Sequence, residues 1–166
     1  MRHKLPILVA MLALAGMTFA VAASGGGNGA VRIPSPLAPF DIPSSLCGFP
    51  VHAEPGAQNL YIIHSTTLQD GTTITRTTGK FFVTLTNTDT GKAYTANITG
   101  PVTQTLYSDG RFVFDGQGHS LFGFTLTGQP GLIITSGHVV ATFDVTGLTS
   151  FTLDGTYTDV CALLGP

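Results

Sequence analysis

The chain has no tryptophan, only two cysteines in 166 residues, and little charge, with 10% of its residues Asp, Glu, Lys or Arg. Each shortage excludes something. With no Trp and only four Tyr, it is poorly supplied with the flat amphipathic rings on which sugars stack. Two cysteines without Cys-x-x-Cys spacing do not make a redox site. The histidines show no close His-x₃-His repeat, so no metal site is read from the sequence. No apolar pattern of period 3.6 marks an amphipathic helix of useful length beyond the first residues.

The charge deficit bears on partners. Two of the seven basic residues, Arg2 and Lys4, sit in an N-terminal segment expected to be removed. What remains is Arg32, Arg76, Lys80, Lys92 and Arg111 against nine carboxylates, a mature net charge of −4. Five scattered cations make no stripe for phosphates, so no nucleic-acid partner is expected and anionic membrane surfaces are poor partners. With 43% hydrophobic residues the chain is still far from the composition of a disordered protein.

The removable segment has three parts. Arg2, His3 and Lys4 precede an apolar run from Leu5 to Met17, and small residues Ala20-Val21-Ala22-Ala23 close it. This is the pattern of a secretory signal peptide over residues 1–23, cut after Ala22 or Ala23. An uncleaved anchor is the competing reading, since a bilayer needs about 20 apolar residues. Pro6 and the Ala-rich exit favour cleavage, after which no membrane insertion is expected. A lipid-anchored form needs a cysteine at the cut, and the first is Cys47.

Residues 24–44, rich in Gly and then Pro, read as a flexible lead. Residues 45–166 read as one domain of about 120 residues, enough for a real core. Cys47 and Cys161 bracket it and are expected to form a structural disulfide in an oxidising compartment. Between them the pattern is strand and turn. Phe81, Val83 and Leu85 alternate with Phe82, Thr84 and Thr86, the period-2 sign of a strand with one buried face. Ser108-Asp109-Gly110 marks a tight hairpin. Thr78-Gly79 and Ser136-Gly137 read as strand ends. Asp159 is placed to cap a single helical turn ending at Leu164. The expected fold is all-β, an antiparallel meander of roughly eight to ten short strands. Closure as a barrel is preferred to a β-sandwich.

Candidate chemistry is sparse. Phe114-Asp115-Gly116-Gln117-Gly118-His119-Ser120 reads as a polar connection between apolar strands, in which Asp115 would orient His119 as a general base. The competing reading is a solvated turn. Gly116-x-Gly118 has no helix after it and is no dinucleotide fingerprint, so no cofactor is expected. His64 is expected beside Ile62, on the face of Leu60 and Leu68, either lining a cavity or satisfied by a neighbouring hydroxyl. His64, Asp115 and His119 together form the candidate polar pocket. Phe112, Phe114, Phe122 and Phe124 line a pocket or fill a core, the commoner use of Phe. No catalytic set is assigned.

Cys47-Gly48-Phe49-Pro50-Val51, Thr86-Asn87-Thr88-Asp89-Thr90-Gly91-Lys92 and Asn97-Ile98-Thr99-Gly100-Pro101 occur in an order that resembles a group of small secreted actinobacterial proteins. Thr135-Ser136-Gly137-His138-Val139-Val140 and Asp159-Val160-Cys161-Ala162-Leu163-Leu164 continue the likeness over about residues 45–164. The resemblance implies export and the cysteine bracket, and it carries over no catalytic residues. The functional expectation is an extracellular, non-enzymatic module that binds a small apolar ligand or a cell-envelope component. The rivals are a hydrolase or isomerase seated in a barrel mouth, and a structural surface protein.

Overall fold

The computed structural model describes residues 32–165. The expected signal peptide and the glycine-rich start of the lead lie outside that range. Among the described residues are nine strands: β1 (Ile33–Pro34), β2 (Phe40–Ile42), β3 (Val51–Thr67), β4 (Thr73–Asn87), β5 (Ala93–Asn97), β6 (Val102–Leu106), β7 (Phe112–Phe124), β8 (Pro130–Asp144) and β9 (Gly147–Asp159). One helix, α1 (Val160–Leu164), follows. Every ladder is antiparallel, so the all-β reading holds.

The sheet runs β1-β3-β4-β6-β7-β8-β9, with β2 also on β3 and β5 also on β4. Three of its hairpins close on the same local device. Asp70, Asp109 and Asp144 each accept a bond from the backbone N–H two residues on, at 2.9, 3.0 and 2.7 Å. This is the Asx turn, which the sequence signals through Asp at the loop start.

The sheet is open, not the expected closed barrel. Strand β9 is laddered to β8 alone, and the opposite edge of β3 is already taken by β1 and β2. Those two strands come from the segment read as a flexible lead, so the domain begins earlier than residue 45. Its apolar residues explain why. Ile42 is 1% exposed in the core, and Leu37 exchanges two backbone bonds of 2.9 Å with the Gln58 side chain. Proline is compatible with an edge position because its missing N–H faces no further strand.

The long strands pass straight through glycines read as strand ends. Gly118 faces Gly137, and Gly137 faces Gly155 across the ladders. Their φ values, +95°, +133° and +153°, lie where L side chains are rarely found. Gly79 lies against the Asn59 carbonyl and Gly100 against that of Gln117, which extends the row toward β3. Along this row the sheet is creased. Phe114 and Phe122, on one strand, would lie about 26 Å apart if it were straight. Their ring centroids are 5.2 Å apart, edge to face.

Folding at the crease makes two cores. Inside the fold, Phe122, Phe124, Ile133, Val139, Ala141 and Phe143 pack together, rimmed by Phe112, Phe114 and Phe151. On the other side of the lower β7–β8 halves, Leu132 and Ile134 pack with Ile42, Val51, Phe81, Val83 and Leu85. Val160 and Leu164 of α1, both 0% exposed, close that second core. Asp159 caps α1 by accepting from the Ala162 N–H at 3.0 Å, and buried Asn87 donates its side-chain N–H to the Leu164 carbonyl at 3.0 Å. The Cys47–Cys161 disulfide ties α1 to the chain entering β3.

Candidate functional site

Cross-strand register places a row of polar side chains on the outer face of the crease. His64 on β3 faces Arg76 on β4, then Thr103 on β6, Asp115 on β7, Val140 on β8 and Thr152 on β9. The next row outward reads Thr66, Ile74, Thr105, Val113, Thr142 and Ser150. On the crease side, Gln117, His138 and Asp154 are aligned. The result is a six-stranded face of hydroxyls and small apolar groups carrying a belt of charge.

Asp115 is the best-defined polar residue on that face. It sits inside β7, not in a connection, and its carboxylate pairs with His138 Nε2 at 2.9 Å. His138 lies diagonally across on β8, where β-pleating brings it to the same side. Both side chains are about half exposed, at 52% and 42%. His138 stood out only as one scattered histidine in the sequence. Its partnership depends on the β7–β8 register, which no local pattern encodes.

Two sequence expectations are corrected here. His119 lies beyond Gly118, on the far side of the crease, and pairs with Ser136. Asp115 therefore orients His138 and not His119, and Ser120 is buried at 5% exposure, not solvated. His64 does not share a face with Ile62. The ladder slips by one residue between Ile62, which faces Thr77, and His64, which faces Arg76. An extra residue reverses the alternation beyond it, so His64 points to solvent on the outer face. Asp115 is three strands from His64, about 14 Å at ordinary strand spacing. The three candidate residues do not form one pocket.

The phenylalanines fill a core. Phe122 and Phe124 each meet Phe151 edge to face, at 5.4 and 5.2 Å between centroids, and Phe124 meets Phe143 at 5.9 Å. A shallow depression open to solvent lies elsewhere, between Pro34, Pro36 and residues Gln58 to Tyr61. Among the described residues, no three His, Cys, Asp or Glu side chains are grouped to hold a metal.

A second histidine cluster lies on β2 and β3. Asp41 faces His52 across the ladder, and His52 Nδ1 bonds its carboxylate at 2.7 Å. Glu54, two residues along β3, lies 3.4 Å from Nε2. The bond to Asp41 foremost, then that to Glu54, raises the His52 pKa above 6.5. A raised folded-state value means that this pair stabilises the domain fully below the unfolded pKa and fades as pH climbs through the folded one. Urea midpoints of the wild-type protein and His52→Gln will differ near pH 6 and converge by about pH 9. A constant gap would remove the titration from the explanation. Compared with known proteins, the chain matches no family model, no curated protein and no solved structure.

Proposed function

We propose that this is an exported, non-enzymatic binding module that engages a component of the cell envelope through the outer face of its creased sheet. The observation carrying this reading is the spread of the polar side chains. They form a belt across an exposed six-stranded face, with Asp115 and His138 paired at its centre, instead of converging in a cleft. Catalysis by acid and base needs such groups within mutual reach. An exposed face spread over several strands suits recognition of a large partner more than a small molecule.

The disulfide supports the extracellular setting, since such bonds persist in oxidising compartments. No helix among the described residues is long and apolar enough to cross a membrane. Of the two expected ligand classes, the rings packed within the aromatic core favour an envelope component over a small apolar molecule. An open sheet also offers no barrel mouth in which to seat a hydrolase or isomerase.

Sedimentation of the purified mature protein with isolated actinobacterial envelopes tests the proposal. Binding is expected, with at least a roughly tenfold loss in a Val113→Lys, Val140→Lys variant that disturbs only the outer face. Equal binding by the variant, or an apolar molecule retained by the native protein in mass spectrometry, would overturn it.

A further inference from the structure

The outer face carries its own complement. Of the five cations outside the signal segment, four have a partner within the chain. Arg32, Lys80 and Arg111 lie over the rings of Tyr61, Phe82 and Tyr107, at 5.8, 5.0 and 4.3 Å. Arg111 also pairs with Asp109, and Lys92 donates to the Gly165 carbonyl at 2.9 Å. Arg76 is the exception. It is exposed on β4, and among the described residues it has no carboxylate, carbonyl or ring as partner.

Position makes that matter. Arg76 and Asp115 stand in one cross-strand row, on either side of Thr103 of β6. They are two strand spacings apart, about 10 Å. A two-fold axis running along β6 in the plane of contact turns the face onto itself and exchanges β4 with β7. Arg76 then meets Asp115 of the second copy, and Asp115 meets its Arg76. In the neighbouring row the same operation brings Ile74 onto Val113, and Thr105 onto Thr105. The neutral residues fall on the axis, and the opposite charges fall opposite each other.

We infer that the outer face pairs with a second copy of this chain in a symmetric, face-to-face dimer held by two reciprocal Arg76–Asp115 contacts. The inference rests on the reading of this face as a binding surface and gives it a second, competing occupant, since the dimer covers the residues proposed to engage the envelope. Symmetric interfaces need self-complementary patches, and this face has one. Arginine and carboxylate can meet through two parallel bonds, which fixes orientation as well as attraction. Exposed charge pairs contribute little and are screened by salt, so the dimer is weak and salt-sensitive.

Sedimentation velocity of the disulfide-intact mature protein, from about 10 µM to about 1 mM, tests it. The expected result is a monomer–dimer equilibrium that raised salt shifts toward monomer. Arg76→Glu and Asp115→Arg each set like charges in contact and weaken dimerisation at least tenfold. An equimolar mixture of the two variants restores it, because every contact in the mixed dimer is again between opposite charges. Both positions are exposed, and circular dichroism with thermal melting verifies that each variant is folded. Thr103→Glu, which sets two carboxylates on the axis, gives an independent disruption should either charge variant fail to fold. A wild-type protein monomeric throughout, a dimer indifferent to these changes, or a mixture that fails to reassociate would overturn the inference. A monomer that still binds envelopes through this face would leave the proposed function intact.

Discussion

Replacing both half-cystines, Cys47→Ala with Cys161→Ala, lowers the stability of the domain by about 4–5 kcal/mol and its melting temperature by on the order of 15 °C. The bond spans 114 residues of sequence, and the chain-entropy cost of leaving so long a loop open in the unfolded state sets the size of the effect. Local structure adds to it. A five-residue helix cannot hold itself together in water, so α1 depends on the staple, on the Asn87 bond and on burial of Val160 and Leu164. Without the staple, that end of the second core frays first. Urea unfolding of the oxidised protein and the double variant measures the difference. A loss under about 1 kcal/mol would mean that the helix is held by packing alone.

Gly137→Ala is expected to cost at least about 3 kcal/mol, against about 1 kcal/mol for Gly91→Ala. Both glycines have positive φ, +133° and +74°, so both substitutions force an L residue into an unfavourable backbone region. Only one of them also collides. A Cβ at Gly91 meets nothing within 4 Å, whereas at Gly137 it falls on the Asp154 backbone carbonyl of the neighbouring strand. Backbone in the middle of a ladder cannot move aside as the end of a side chain can. Gly155→Ala is expected to match Gly137→Ala, because its Cβ meets the Ser136 carbonyl in the same way. Urea midpoints of the three variants decide the matter. Equal losses at Gly91 and Gly137 would show that backbone conformation, and not the close approach of strands, governs the crease.

These glycines also show where local reading stops. Thr78-Gly79 and Ser136-Gly137 carry the ordinary sign of a strand end, yet β4 and β8 run through both. A glycine that ends a strand and one that bends it look alike in sequence. The difference lies in what stands opposite: Gly118 and Gly155 for Gly137, and the backbone of Asn59 and Leu60 for Gly79. The same limit hid the pairing of Asp115 with His138. Their 23-residue separation says nothing until register is set. Unbroken alternation places His64 on the face of Ile62, but a one-residue slip at Ile63 reverses every position after it.

Sequence alone determined the strand content, the tight hairpin at Ser108-Asp109-Gly110, the cap at Asp159 and the cysteine pair. All of these rest on short-range chemistry: alternation along a strand, a carboxylate reaching the N–H two residues on, and a thiol pair with no other role. Tertiary structure decided the open sheet, the crease, the docking of the proline-bearing lead on β3 and the composition of the outer face. Each of these depends on which backbone lies beside which, and that is settled by packing two cores around a shared row of glycines.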